Sequence, residues 1–190
     1  MAAANVLPAE LRDPTLSGRQ VLEILCDSGL ISLERSPLFD TAPQPLPESL
    51  GWERVEGTLV GLAVGDSLGN TTEGLLPHTR CQPYGEIRDY LPSVHARGRR
   101  LGVPSDDTQL AFWTLEQLLM DGRLMPDHLA QAFGRRQIYG IGGTVAQFLA
   151  AYMDRSVPWY ETGPASADNG ALMRIAPVLL PHLRRPSSEL

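Results

Sequence analysis

The sequence predicts an all-α protein, and three observations carry that prediction. Apolar residues recur at helical spacing in successive segments that are opened by caps and closed by glycine or proline. No segment between them alternates polar and apolar cleanly enough for a strand. The 18 glycines and 16 prolines among 190 residues punctuate many short elements.

The first element is SGRQVLEILCDSG, Ser17 to Gly29, where Val21, Leu22, Ile24 and Leu25 form one apolar face between a serine N-cap and a glycine C-cap. SPLFDTAPQPLPES follows at 36–49, and its four prolines resist helix and favour an extended connector. A boundary near Leu50 therefore separates residues 1–50, an extension with one short helix, from a helical domain at 51–190. The extension reads either as a loosely docked tail or as an arm that binds a protein partner.

From Arg54 onward, RVEGTLVGLAVGDSLGNTTEG repeats glycine at 57, 61, 65 and 69, four apart on one helical face. A second backbone can approach such a face closely, so a buried helix is expected. Arg54, Glu56, Asp66 and Glu73 exclude membrane insertion for it. Residues 77–104, rich in Pro, Gly and Arg and containing RGRR at 97–100, read as a long surface loop. SDDTQLAFWTLEQLLMDG then opens on Ser105 as a cap, carries two acids in its first turn, and ends as a helix near Gly122. PDHLAQAFGRRQ, TVAQFLAAYM and NGALMRIAPVLL complete the series as three further helices.

Composition narrows the function. Sixteen basic against 22 acidic side chains give a formal charge of −6, the wrong sign for gripping nucleic acid or an anionic membrane over a broad face. No apolar run approaches the ~20 residues that cross a bilayer, and MAAANVLPAELRDP shows no basic n-region followed by an apolar core. With only Cys26 and Cys81, neither a disulfide scaffold nor a thiolate metal site can be built, and a cytoplasmic setting fits. His78, His95, His128 and His182 show no ligand-pair spacing and read as exposed or capping residues. Ser105 is not a serine-hydrolase nucleophile, because PSDDT lacks the G-x-S-x-G elbow.

Asp106 and Asp107 at a helix start are explained in part by the helix dipole. Flanked by Ser105 and Thr108 they also present a run of hard oxygens, the donor type that Mg²⁺ or Mn²⁺ prefers, and Glu73 offers another. Four segments carry a resemblance. GLAVGDSLGNTTE (61–73), PSDDTQLAFWTLEQL (104–118), YGIGGTVAQF (139–148) and ADNGALMRIAPV (167–178) resemble, in order, the N-terminal motifs of the ADP-ribosylglycohydrolase family. The resemblance covers about residues 52–181 and implies an all-helical fold with a dinuclear Mg²⁺ or Mn²⁺ centre. The implied activity is hydrolysis of the glycosidic bond between ADP-ribose and a protein side chain, often arginine, or a related ADP-ribosyl small molecule.

By that resemblance Ser105, Asp106 and Asp107 match metal ligands, serine replacing the commoner threonine. Glu73 matches a glutamate that positions or activates water, so Glu73 and Asp107 are the implied catalytic carboxylates. Gly140, Ile141, Gly142 and Gly143 match a substrate loop, while Asn169, Gly170 and Arg174 match residues near the ADP-ribose phosphates and ribose. A helix starting near Asn169 is expected to lend its dipole to a diphosphate. Two departures stand out: Asp168 replaces a common glycine and adds negative charge there, and the family's C-terminal Asp-x-Asp-type half-site is absent. The chain thus reads as an N-terminal fragment whose remaining ligands come from water, substrate or another polypeptide. The alternative reading is an inactive ADP-ribose-binding or toxin-neutralising module on the same scaffold.

Overall fold

The computed structural model of the chain describes residues 9–184 except 14, 32 and 43. The first eight residues, Pro43 of the expected connector, and residues 185–190 at the end that reads as a truncation lie outside the described residues. Of the described residues, those up to Glu48 together with those from Pro181 onward form one compact unit, and Ser49–Leu180 form a second.

In the first unit, α1 (Gly18–Asp27) begins as its sequence dictates. The Ser17 hydroxyl accepts from the Gln20 N–H, and the Gln20 side chain accepts from the Ser17 N–H at 2.8 Å, a reciprocal cap that satisfies two free donors. Leu25 is its buried anchor. The proline-rich stretch is not wholly extended, since Pro37–Asp40 winds into one 3-10 turn. The Leu46 N–H donates to the Leu183 carbonyl at 2.8 Å, tying the connector to the returning chain.

The second unit holds the remaining helices: α2 (Trp52–Gly69), α3 (Pro77–Tyr84), α4 (Asp106–Asp121), α5 (Pro126–Gly134), α6 (Gly143–Leu149) and α7 (Ile175–Leu179). The all-α class holds, with the two-residue strands β1 (Pro92–Ser93) and β2 (Arg99–Arg100) as the only pair among the described residues. Helix α4 is the hub and packs against α2, α5 and α7. Leu110 and Ala111 on its inner face are completely buried, and Leu110 meets Phe133 of α5 and Val145 of α6 in the core, with Trp113, Leu129 and Met173 around them. No helix among the described residues is long and apolar enough to cross a membrane.

Three expectations need correction. Residues 77–104 are not one loop, because Pro77 sits at the start of α3, where a missing N–H costs nothing, and Pro83 falls in its last turn. The same stretch holds the antiparallel β1–β2 pair. Helix α2 is not buried on its glycine face: a Cβ built at Gly57, Gly61, Gly65 or Gly69 meets no other atom within 4 Å, and Trp52, Val60 and Val64 are exposed. Apolar residues surround α2 on every side, so their pattern does not say which side faces α4. Lastly, no helix starts near Asn169. Residues Leu172–Arg174 form a 3-10 turn, and α7, which contains Pro177, is only five residues long.

Candidate functional site

The start of α4 is built around a residue that sequence reading used only to exclude membrane insertion. Asp66, one turn before the end of α2, accepts at Oδ2 from the backbone N–H groups of Ser105 (2.8 Å) and Thr108 (3.2 Å). These are the N-cap and third-residue donors that a helix leaves unpaired, so one carboxylate from another helix does the work of both halves of a capping box. The Ser105 hydroxyl makes no cap of its own. It donates to Asp66 Oδ1 at 2.6 Å, while the Thr108 hydroxyl donates to Oδ2 at 2.6 Å. Asn70, a turn further along, donates to Asp66 Oδ1 at 3.2 Å and to the Val103 carbonyl at 2.8 Å. With five donors on two oxygens, the Asp66 carboxylate has no lone pair left for a cation. Nothing local in the sequence marks it, since the partners Ser105 and Thr108 lie 39 and 42 residues away.

Ser105 and Asp106 are buried, and Asp107 beside them is half-buried. Burial pushes the Asp107 carboxyl above its ordinary range, and the negative charges of Asp106, Asp66 and Glu73 add to that push. Glu73 is itself exposed, just past the 3-10 turn that extends α2. Four carboxylates therefore share one field.

The glycine loop lies against Asp106. The Gly142 N–H donates to Asp106 Oδ2 at 3.1 Å, so this donor serves the acid and not a diphosphate. Gly140 has φ +70°, and a Cβ there would stand 3.3 Å from Ser105 Cβ, 3.6 Å from Asp106 Oδ1 and 3.9 Å from His95 Nε2. His95, read from sequence as exposed or capping, is thus half-buried at the site, its ring 5.0 Å from that of Tyr139. Gln109 holds the approach to the loop, accepting from the Tyr139 N–H at 2.7 Å and donating to the Gln137 carbonyl at 3.1 Å. Ile141 and Gly143 are exposed, and Gly143 opens α6. Gly140→Ala is expected to cost about 1 kcal/mol through its left-handed backbone. A thermal melt matching the native chain would speak against that geometry.

The 166–174 segment reaches the same field. Asp168 accepts from the hydroxyls of Thr144 and Ser166 and from the Gly170 N–H, which holds its carboxyl below the usual range. Its charge braces a loop to the start of α6. Asn169 is exposed, and its carbonyl accepts from the Leu172 N–H. Arg174 stacks over Phe133 at 5.4 Å. Burial lowers its pKa, against the attraction of Asp106 and Asp168. Arg174 and Thr144 border a cavity of ≈ 380 Å³ whose walls include Phe133, Phe148 and Trp159.

The oxygens fit a hard divalent cation in kind: Glu73, Asp106 and Asp107 supply charge. Hydroxyls whose protons are committed to Asp66 have only lone pairs left to offer. They do not form a closed cage, since no three acidic, histidine or cysteine side chains among the described residues stand close enough to enclose an ion.

The model of a family described as ADP-ribosylglycohydrolase matches residues 47–190. An uncharacterised protein of Archaeoglobus fulgidus is 35% identical over 130 residues, covering 66% of this chain and 42% of that protein. The ADP-ribosylarginine hydrolase Tri1 of Serratia proteamaculans is 30% identical over 162 residues, covering 80% of this chain and 42% of its own length. The ADP-ribosyl-[dinitrogen reductase] glycohydrolase of Rhodospirillum rubrum is 28% identical over 138 residues, 71% of this chain and 47% of that enzyme. The chain spans less than half the length of these relatives.

Proposed function

The chain belongs to the ADP-ribosylglycohydrolase family, and from that membership we propose that its site takes part in hydrolysing the bond between ADP-ribose and a side chain such as arginine. The observation that carries the reading is the start of α4. There Asp106 and Asp107 are buried or half-buried among acids, with Gly142 donating to Asp106 and Arg174 within its field.

The chemistry asked of these residues is electrostatic. As the glycosidic C–N bond breaks, positive charge grows on the anomeric carbon, and fixed carboxylates at that point stabilise it. Water forms the new C–O bond and gives up a proton, while the departing nitrogen gains one. Glu73 or Asp107 takes the proton from water. Ser105, Asp106, Asp107 and Glu73 are the residues that would hold Mg²⁺ or Mn²⁺, with water and substrate completing its shell. When bound, such an ion polarises ligand oxygens and lowers the pKa of water. Gly140–Gly143, Asn169, Gly170 and Arg174 are proposed to surround the ADP-ribosyl group.

The test is ADP-ribose release from ADP-ribosyl-arginine by the 190-residue chain, with Mg²⁺ or Mn²⁺ and with a chelator. Chelator-sensitive release is expected. A chain that binds ADP-ribose yet releases none under any metal condition is a binding module.

A further inference from the structure

We infer that the β1–β2 hairpin is where an ADP-ribosylated protein docks, its Arg97, Arg99 and Arg100 taking carboxylates on the target's surface beside the modified side chain. The inference rests on the ADP-ribosyl reading of the site and adds to it what recognises the protein that carries the group.

Three observations lead to it. The first is unspent charge. Arg97, Arg99 and Arg100 are exposed, and none of them forms an ion pair among the described residues, whereas Arg19, Arg35, Arg88 and Arg136 each hold a carboxylate. In a chain of net charge −6 these three arginines make a local field opposite in sign to the whole. Arg97 is moreover held at φ +54°, a left-handed backbone that glycine adopts at less cost. The turn itself gains nothing from an arginine there.

The second is placement on a fixed support. The Gly98 N–H donates to the Ser93 carbonyl at 2.9 Å, the Arg97 N–H to the Val94 carbonyl at 3.2 Å, and Arg99 Nε to the Ala96 carbonyl at 3.2 Å. Ser93 and Ala96 are buried beneath the turn. His95 on the same turn rests on Tyr139, with 5.0 Å between ring centres, and the next residue, Gly140, comes up against Ser105 and Asp106. Along the chain, Arg100 precedes Ser105 by five residues, at most about 18 Å of extended backbone. The arginines therefore flank the carboxylates at the start of α4, within the span of a short peptide.

The third is shape and composition. Small ligands bind in concavities, and no hairpin residue lines the cavity at Arg174 or the cleft beside Ile141. The arginines instead share the hairpin with Val94 at 82% exposure, and Leu101 follows them at 44%. Arginine beside exposed apolar side chains is the make-up of a protein interface. Guanidinium groups pair with carboxylates through two parallel hydrogen bonds, which sets orientation as well as attraction. A nucleic acid would also meet the arginines, but the net charge of the rest of the chain repels a polyanion over any longer contact. A few carboxylates beside one modified side chain need only the hairpin.

The test is calorimetric titration of two ADP-ribosyl-arginine peptides into the 190-residue chain, one with glutamates about four to eight residues from the modified arginine, the other with serines there. We expect the glutamate peptide to bind about tenfold more tightly at low ionic strength, the sum of three exposed ion pairs, and the preference to shrink to about twofold in about 0.5 M NaCl. Arg97→Gln/Arg100→Gln, which leaves Arg99 to hold the turn, should bind the two peptides nearly alike, with an unchanged melt and an unchanged affinity for free ADP-ribose. Arg97→Lys/Arg100→Lys keeps the charge and should retain most of the preference. Equal binding of the two peptides by the native chain, or a preference that survives in the glutamine variant, overturns the docking assignment while leaving the ADP-ribosyl reading intact. Tighter binding of a short DNA duplex than of the glutamate peptide overturns it as well. Absence of binding by both peptides and by free ADP-ribose overturns that reading, and the inference with it.

Discussion

Asp66→Ala is expected to lower the melting temperature by about 10 °C and to abolish ligand binding at the start of α4. The carboxylate accepts from two backbone N–H groups, two hydroxyls and an amide. Ser105 and Thr108 are buried at 1% and 6% exposure, so water does not readily replace the lost acceptor. Each buried donor left unpaired costs about 1–3 kcal/mol, and the costs are not additive within one network. A total of roughly 3–5 kcal/mol follows, and a chain of this length loses about 2–4 °C per kcal/mol. Asp66→Asn is the sharper variant, because it keeps the size but turns an amide N–H₂ toward groups that are themselves donors. A melt within about 3 °C of the native chain for Asp66→Ala would remove Asp66 from the centre of this description.

That clamp also shows which parts of the site were legible in the sequence. Ser105, Asp106, Asp107 and the helix behind them announced themselves because cap, acids and apolar period are local signals that agree. Asp66 is 39 residues away from Ser105, and nothing local says that its carboxylate caps another helix. His95 was passed over for the same reason: it comes beside Tyr139 and Gly140 only because the β1–β2 turn and the Tyr139–Gly140 loop meet at one end of α4. The fold class followed from periodicity, whereas the bare glycine face of α2 did not. Glycines at every fourth position state that a close neighbour is permitted, not that one is present. The missing helix start at Asn169 is a further case of tertiary detail overriding pattern. Asp168 takes up the Gly170 N–H and ties the segment to Thr144, and regular winding begins only past Arg174.

The Asp107 carboxylate brings stability and function into opposition. Its pKa is raised by burial first, then by Asp106, Asp66 and Glu73, so the ionised form is the unfavourable one in the folded chain. For a carboxyl raised on folding, the stabilising contribution is complete below the unfolded pKa, near 3.9 for an ordinary aspartate. It is lost as pH rises through the folded value. At neutral pH the metal-free chain therefore carries an unrelieved repulsion, which asparagine removes. Asp107→Asn is expected to melt higher than the native chain in the presence of a chelator at pH 7, the gain shrinking as pH falls toward 4. Mg²⁺ should reverse the order, raising the native melt and leaving the variant's nearly unchanged, because only a charged Asp107 repays the ion. Turnover of ADP-ribosyl-arginine should fall at least ~10²-fold in the variant, the scale of losing an essential charged group at the reacting centre. Greater stability with less activity is the mark of a residue held against its own folding preference for the sake of a ligand. If Asp107→Asn melts below the native chain in chelator at pH 7, the four carboxylates do not form the shared field described above.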